Sequence, residues 1–125
     1  QASDHRLSEP ELHFLEVCTQ VPADDAGHVS CARVADVSMK VDRLSEVIDG
    51  WPDHVTSYKS EAGFRGAYFF CDRATGVCKS ISFWGSEDDM RANETSGAFA
   101  ATVEPYKDMI AVAPVRSYWG VRVVV

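Results

Sequence analysis

The sequence has no apolar run approaching the ~20 residues that cross a bilayer as a helix, so no helical membrane span is expected in its 125 residues. Basic side chains are scarce: 12 Lys and Arg stand against 19 Asp and Glu, a formal net charge of −7. A phosphate-binding surface needs a cationic face, so nucleic acid is not an expected partner. Only four cysteines occur, Cys18, Cys31, Cys71 and Cys78, and none form a C-x-x-C pair. A zinc site or thioredoxin-like motif is therefore not expected, and the cysteines read as free, buried thiols of a cytoplasmic protein. G-x-G-x-x-G, P-loop, G-x-S-x-G and H-E-x-x-H motifs are absent as well. No basic-then-apolar segment follows Gln1, the pattern expected when a signal peptide is absent or already removed.

What is present fits one globular domain: 46% hydrophobic and 25% charged residues, enough to bury a core. Residues 1–27 read as an extension. Ser8 and Glu11 make a capping box flanked by Leu7 and Leu12, and a short helix is expected over Glu9–Thr19, followed by a linker over Val21–Gly27. The domain proper is expected over 28–125.

Val29, Cys31, Arg33, Ala35, Val37, Met39 and Val41 alternate with a more polar set, a strand pattern. Asp42 is a candidate N-cap for the next helix, whose stripe Leu44, Val47, Ile48, Trp51, Val55, Tyr58 stays in phase across Pro52. Phe64–Cys71 and Val77–Trp84 read as paired strands joined by a turn at Asp72–Gly76, which sets Cys71 opposite Cys78 unless Gly76 makes a bulge. A bridge between those two is geometrically possible without being expected. Ser86 caps a further helix that breaks near Thr95–Gly97, and a last strand carries Val115, Ser117, Trp119, Val121, Val123 and Val125 on one face.

The order β-α-β-β-α-β predicts an α+β, ferredoxin-like fold: a four-stranded antiparallel sheet with both helices on one face, plus the short N-terminal helix. The strands are apolar on both sides, so the uncovered sheet face is expected to pack on a second copy as a homodimer.

Three stretches then carry a family resemblance: Glu61-Ala62-Gly63-Phe64-Arg65-Gly66, Asp72-Arg73-Ala74-Thr75-Gly76, and Ser80 through Met90 with Trp84 at the strand end. Together with the closing Arg116–Val125 segment, the chain over roughly 28–125 resembles the antibiotic-biosynthesis-monooxygenase-like group of dimeric α/β barrels. That resemblance implies an oxygenase for a small aromatic or polyketide-like molecule, working without flavin, haem or metal. Deprotonation makes such a substrate electron-rich enough to react with dioxygen, and the protein supplies a dry pocket and a stabilised oxyanion. The group's haem-degrading branch fits poorly: no Asn lies in 28–41, Asn93 stands where that branch has a helical Trp, and no His follows His54.

The resemblance and the residue types point to Trp84, Asn93 and His54 as catalytic candidates, His54 as a base near neutral pH. Tyr68, Phe70, Arg91 and Trp119 are the substrate-binding candidates. No metal ligands and no cofactor are expected. Structural roles stand open beside each of these: Trp84 as a packing anchor, Asn93 as a cap, Arg91 as a partner of Glu87, His54 as a boundary residue, and the other aromatics as core. The alternative function is a non-catalytic dimeric barrel that binds a small hydrophobic ligand or acts in stress response.

Overall fold

A computed structural model describes residues 15–24 and 27–122. Five strands form one antiparallel sheet: β1 (Glu16–Val21), β2 (Cys31–Met39), β3 (Phe64–Cys71), β4 (Val77–Trp84) and β5 (Ile110–Gly120), in the spatial order β1-β3-β4-β2-β5. Removing β1 leaves the split β-α-β order read from the sequence. Helices α1 (Leu44–Val55), α2 (Glu87–Thr95) and α3 (Ala98–Val103) supply the second layer.

The expected four-stranded sheet is thus corrected to five strands, and the end of the expected N-terminal helix is corrected to the strand Glu16–Val21. Val17, Thr19 and Val21 are β-branched at alternate positions, and the free edge of β3 satisfies their backbone groups, which a short isolated helix could not match. The rest of that helix, with the capping box at Ser8 and Glu11, lies outside the described residues.

Between Val17 and Thr19 the register slips, leaving Cys18 as the extra residue of a bulge. Cys18 is bonded to Cys71 across a Cα–Cα distance of 6.5 Å, which corrects the reading of four free thiols. Bridges of this kind persist in oxidising surroundings. Cys71 does stand opposite Cys78, as the turn predicted, but Cys78 stays free and buried, and Cys31 likewise. Burial pushes the Cys78 thiol up to about 11.

The stripe of α1 is buried as expected, and Tyr58 continues it on a 3₁₀ turn over Thr56–Ser60. Pro52 sits inside α1 without ending it; the Thr56 hydroxyl donates to the Pro52 carbonyl at 2.6 Å. Asp42 does not cap α1, because a 3₁₀ turn over Val41–Arg43 enters the helix and closes on the Lys40 carbonyl instead. Ser86 does cap α2, accepting from the Asp89 amide at 3.1 Å. Gly76 takes φ +82° in the β3–β4 turn, and a side chain there would collide with the Met39 carbonyl.

One sheet face meets the helices through Cys31, Val37, Met39, Ala67, Phe69, Cys78 and Trp84, the centre of the core. The opposite face carries Val17, Tyr68, Phe70, Phe83, Val115 and Trp119, of which Val115 and Trp119 are 66% and 59% exposed. Tyr68 stacks on Phe70 and meets Phe83 edge-on, so the open face holds its own aromatic cluster.

Candidate functional site

A cavity of about 60 Å³ lies between the helix layer and the sheet. Its walls come from β2, β3 and β4 below, α1 with its 3₁₀ extension on one side, and α3 with the following turn on the other. Trp51, Phe69, Phe99 and Tyr106 supply aromatic surface in a largely aliphatic wall that includes Val37, Met39, Val47 and Val55. Four polar groups break this lining: Arg33, Tyr58, Thr102 and the Ser80/Ser82 pair of β4.

Arg33 is 3% exposed, on the phase of β2 that faces the helices. Its Nη1 donates to Glu94 Oε2 at 3.3 Å, and its guanidinium lies 4.5 Å from the Phe99 ring centre and 6.0 Å from that of Trp84. Tyr58 and Thr102 share a 2.8 Å hydrogen bond. Since the Thr102 hydroxyl donates to the Ala98 carbonyl at 3.0 Å, its single proton is committed, and Tyr58 is the donor between the two. Burial pushes the Tyr58 hydroxyl up, while Thr102, Arg33 and Asn93 pull it weakly back. Tyr106 is buried with an unpartnered hydroxyl, and burial followed by the nearby Asp53 carboxylate pushes it up to about 12.

None of the seven residues proposed from the sequence lines this cavity. Trp84 and Asn93 lie directly behind it, each 0% exposed. The Trp84 ring packs against Phe64 and Tyr58, and its Nε1 donates to Ser82 Oγ at 2.9 Å. Asn93 Nδ2 donates to both Glu61 oxygens, at 2.9 and 3.1 Å, while its Oδ1 is sealed from water with no partner. His54 is half-buried on the flank of α1 with its ring edge-on to Tyr106 at 5.3 Å, outside the wall. Arg91 pairs with Glu87 and lies 3.8 Å from the Tyr118 ring centre at the surface. Tyr68, Phe70 and Trp119 belong to the open sheet face.

Sequence reasoning missed Arg33, Tyr58, Thr102 and Phe99 as site residues. The signal for Arg33 was there: it is the one charge on the buried phase of an otherwise apolar strand. Tyr58 ends the α1 stripe in phase and so read as core. Among the described residues one group could offer metal ligands, Glu16 with Cys18 and Cys71, but both sulfurs are already bonded to each other.

No protein-family model and no curated protein matches the chain. Solved structures do. An anthrone oxidase-like protein superposes with TM-score 0.70 at 15% identity, over 85% of this chain and 53% of the other, so the chain spans about half of that protein's length. Two proteins provisionally named antibiotic biosynthesis monooxygenases follow. One from Nitrosomonas europaea has TM-score 0.63 at 11% identity, covering 73% of this chain and 88% of its own. The other, from Bordetella bronchiseptica, has TM-score 0.66 at 14% identity, covering 78% and 100%. Strand order, helix placement and these superpositions agree: the chain has the ferredoxin-like fold of the antibiotic-biosynthesis-monooxygenase-like proteins.

Proposed function

We propose that the protein is a cofactor-independent monooxygenase, or a closely related enzyme, for a small aromatic molecule held in the cavity between helices and sheet. The observation that carries this reading is an apolar wall with aromatic rings, interrupted by Arg33 and the Tyr58–Thr102 pair. In the simplest balanced reaction an activated ring CH₂ and O₂ give a ring ketone and water. The substrate first gives a proton to solvent, becoming an enolate or phenolate, and solvent returns that proton when water is formed. That anion reduces dioxygen, the C–O bond forms, and O–O cleavage releases water.

The chain's own part is to exclude solvent and hold the oxyanion. Arg33 offers a fixed positive charge, and the Tyr58 hydroxyl joins it only by turning its one proton from Thr102 to the oxyanion. Asn93 and Trp84 enter as positioning residues behind Tyr58 and Arg33 rather than as groups on the wall. A 60 Å³ space is small for an aromatic ring, so a bound substrate requires the lining to widen around it. The same small volume is the observation that favours the second reading, a non-catalytic dimeric barrel binding a small hydrophobic ligand. In either case a second copy packed on the open sheet face gives a homodimer.

Oxygen consumption with an aromatic quinol separates the two readings. Turnover above the uncatalysed background is expected, and Tyr58→Phe should lower it about 10²-fold while costing only about 1 kcal/mol of stability. Binding of the quinol without any oxygen uptake selects the non-catalytic reading.

A further inference from the structure

Arg33 is a buried cation with too little to neutralise it. Among the described residues Glu94 is the one carboxylate in ion-pair contact with it, and Glu94 is shared: Oε1 receives Arg116 Nη1 and the Tyr118 hydroxyl, both at 2.9 Å, leaving Oε2 for Arg33 at the longer 3.3 Å. Two guanidiniums therefore divide one carboxylate. Glu61, the other acid of the neighbourhood, is occupied by Asn93 Nδ2 and makes no ion pair with Arg33. Arg33 is also far more buried than Arg116, 3% against 41% exposed, so water screens its charge least.

Its donors tell the same story. A guanidinium carries five N–H groups, and Arg33 uses one side of its fork on Glu94. Among the described residues neither Nε nor Nη2 has a hydrogen-bond partner, and neither is sealed off as an orphan, while Arg33 itself lines the cavity. Phe99 covers the flat face of the guanidinium at 4.5 Å, holding the plane while leaving the edge free. A flat, unoccupied N–H pair facing an enclosure is the counterpart of a carboxylate's two oxygens.

We infer that the cavity selects an aromatic acid: a ring held among Trp51, Phe69 and Phe99, with its carboxylate received by the free Nε–Nη2 edge of Arg33. This rests on the proposal that the cavity holds an aromatic ligand and adds which ring substituent it requires.

The test compares 2-hydroxybenzoate with 2-hydroxybenzamide, its uncharged counterpart of nearly the same shape, by calorimetry on the full chain. Wild-type protein should bind the acid roughly 10- to 100-fold more tightly, the range expected for a charge-assisted hydrogen-bonded pair. R33Q should abolish that preference, bringing acid binding down to the level of the amide in the same variant. An independent readout needs no variant: the Arg33 Nε–H resonance should shift with the acid and stay put with the amide. Equal binding of both probes, a preference that survives R33Q, or an Arg33 resonance indifferent to the acid overturns the inference while leaving the cavity reading intact. Binding of neither probe overturns both. A preference for the acid in a protein that never consumes oxygen supports the acid site and removes only the oxygenase.

Discussion

The two faces of the sheet invert the usual expectation. The covered face holds a buried arginine, two serines and, just behind it, an asparagine, whereas the face without helices carries Val115 and Trp119 more than half exposed among further aromatics. Burial under helices ordinarily removes polar groups, and exposure ordinarily removes large apolar ones. The inversion teaches that each face is shaped by what it contacts. The covered face encloses a cavity with polar groups in its lining, and the open face presents large apolar side chains of the kind that a partner surface covers.

Substitutions on the two faces should therefore fail in different ways, and the largest effect belongs to the covered face. Trp84→Ala removes the largest fully buried side chain and should cost about 3–5 kcal/mol, read as a lowered midpoint in denaturant unfolding with the protein already partly unfolded at rest. On the open face, Val115→Asp, at a side chain 66% exposed, should leave the melting of the separated chain nearly unchanged and convert a dimer into monomer by light scattering at micromolar concentration. A wild-type monomer would break the comparison, since the open face would then have no partner to explain it.

The bridge at the sheet's edge ranks next. Reducing Cys18–Cys71 frees a loop closed over a sequence separation of 53 and should lower stability by about 2–4 kcal/mol, with loss of amide protection concentrated in β1. Equal protection in both redox states would show that backbone pairing alone holds that strand.

The smallest effect sharpens the reading of the covered face. Tyr106 is raised to about 12 from an ordinary value of 10, so the fold favours its neutral form. Its contribution is fully present below pH 10 and is lost as pH rises from about 10 through 12. Tyr106→Phe removes an unpartnered buried hydroxyl, so stability at neutral pH should change by less than about 1 kcal/mol and the decline above pH 10 should flatten in pH-dependent melting.

Periodicity determined the central β-α-β-β-α-β order from the sequence alone. The α1 stripe, the β3 and β4 bounds, the Ser86 cap and the break at Gly97 all follow from contacts between neighbours a few residues apart, which local pattern encodes. The uncovered apolar sheet face was legible for the same reason, since strand alternation shows both faces. Tertiary structure decided the rest. Glu16–Val21 became a strand because the edge of β3, some 50 residues away in sequence, offers the hydrogen bonds, and Cys18 found Cys71 through that pairing and its bulge. Trp84 and Asn93 fell behind the cavity because helix and strand phase tells which side a residue faces and not how deep it lies. Arg33 reached the wall through the packing of α1 and α3 over β2, and its unbalanced charge arises because Glu94 on α2 is shared with Arg116 on β5. Depth and charge sharing between distant segments have no local signature, so only the folded chain could set them.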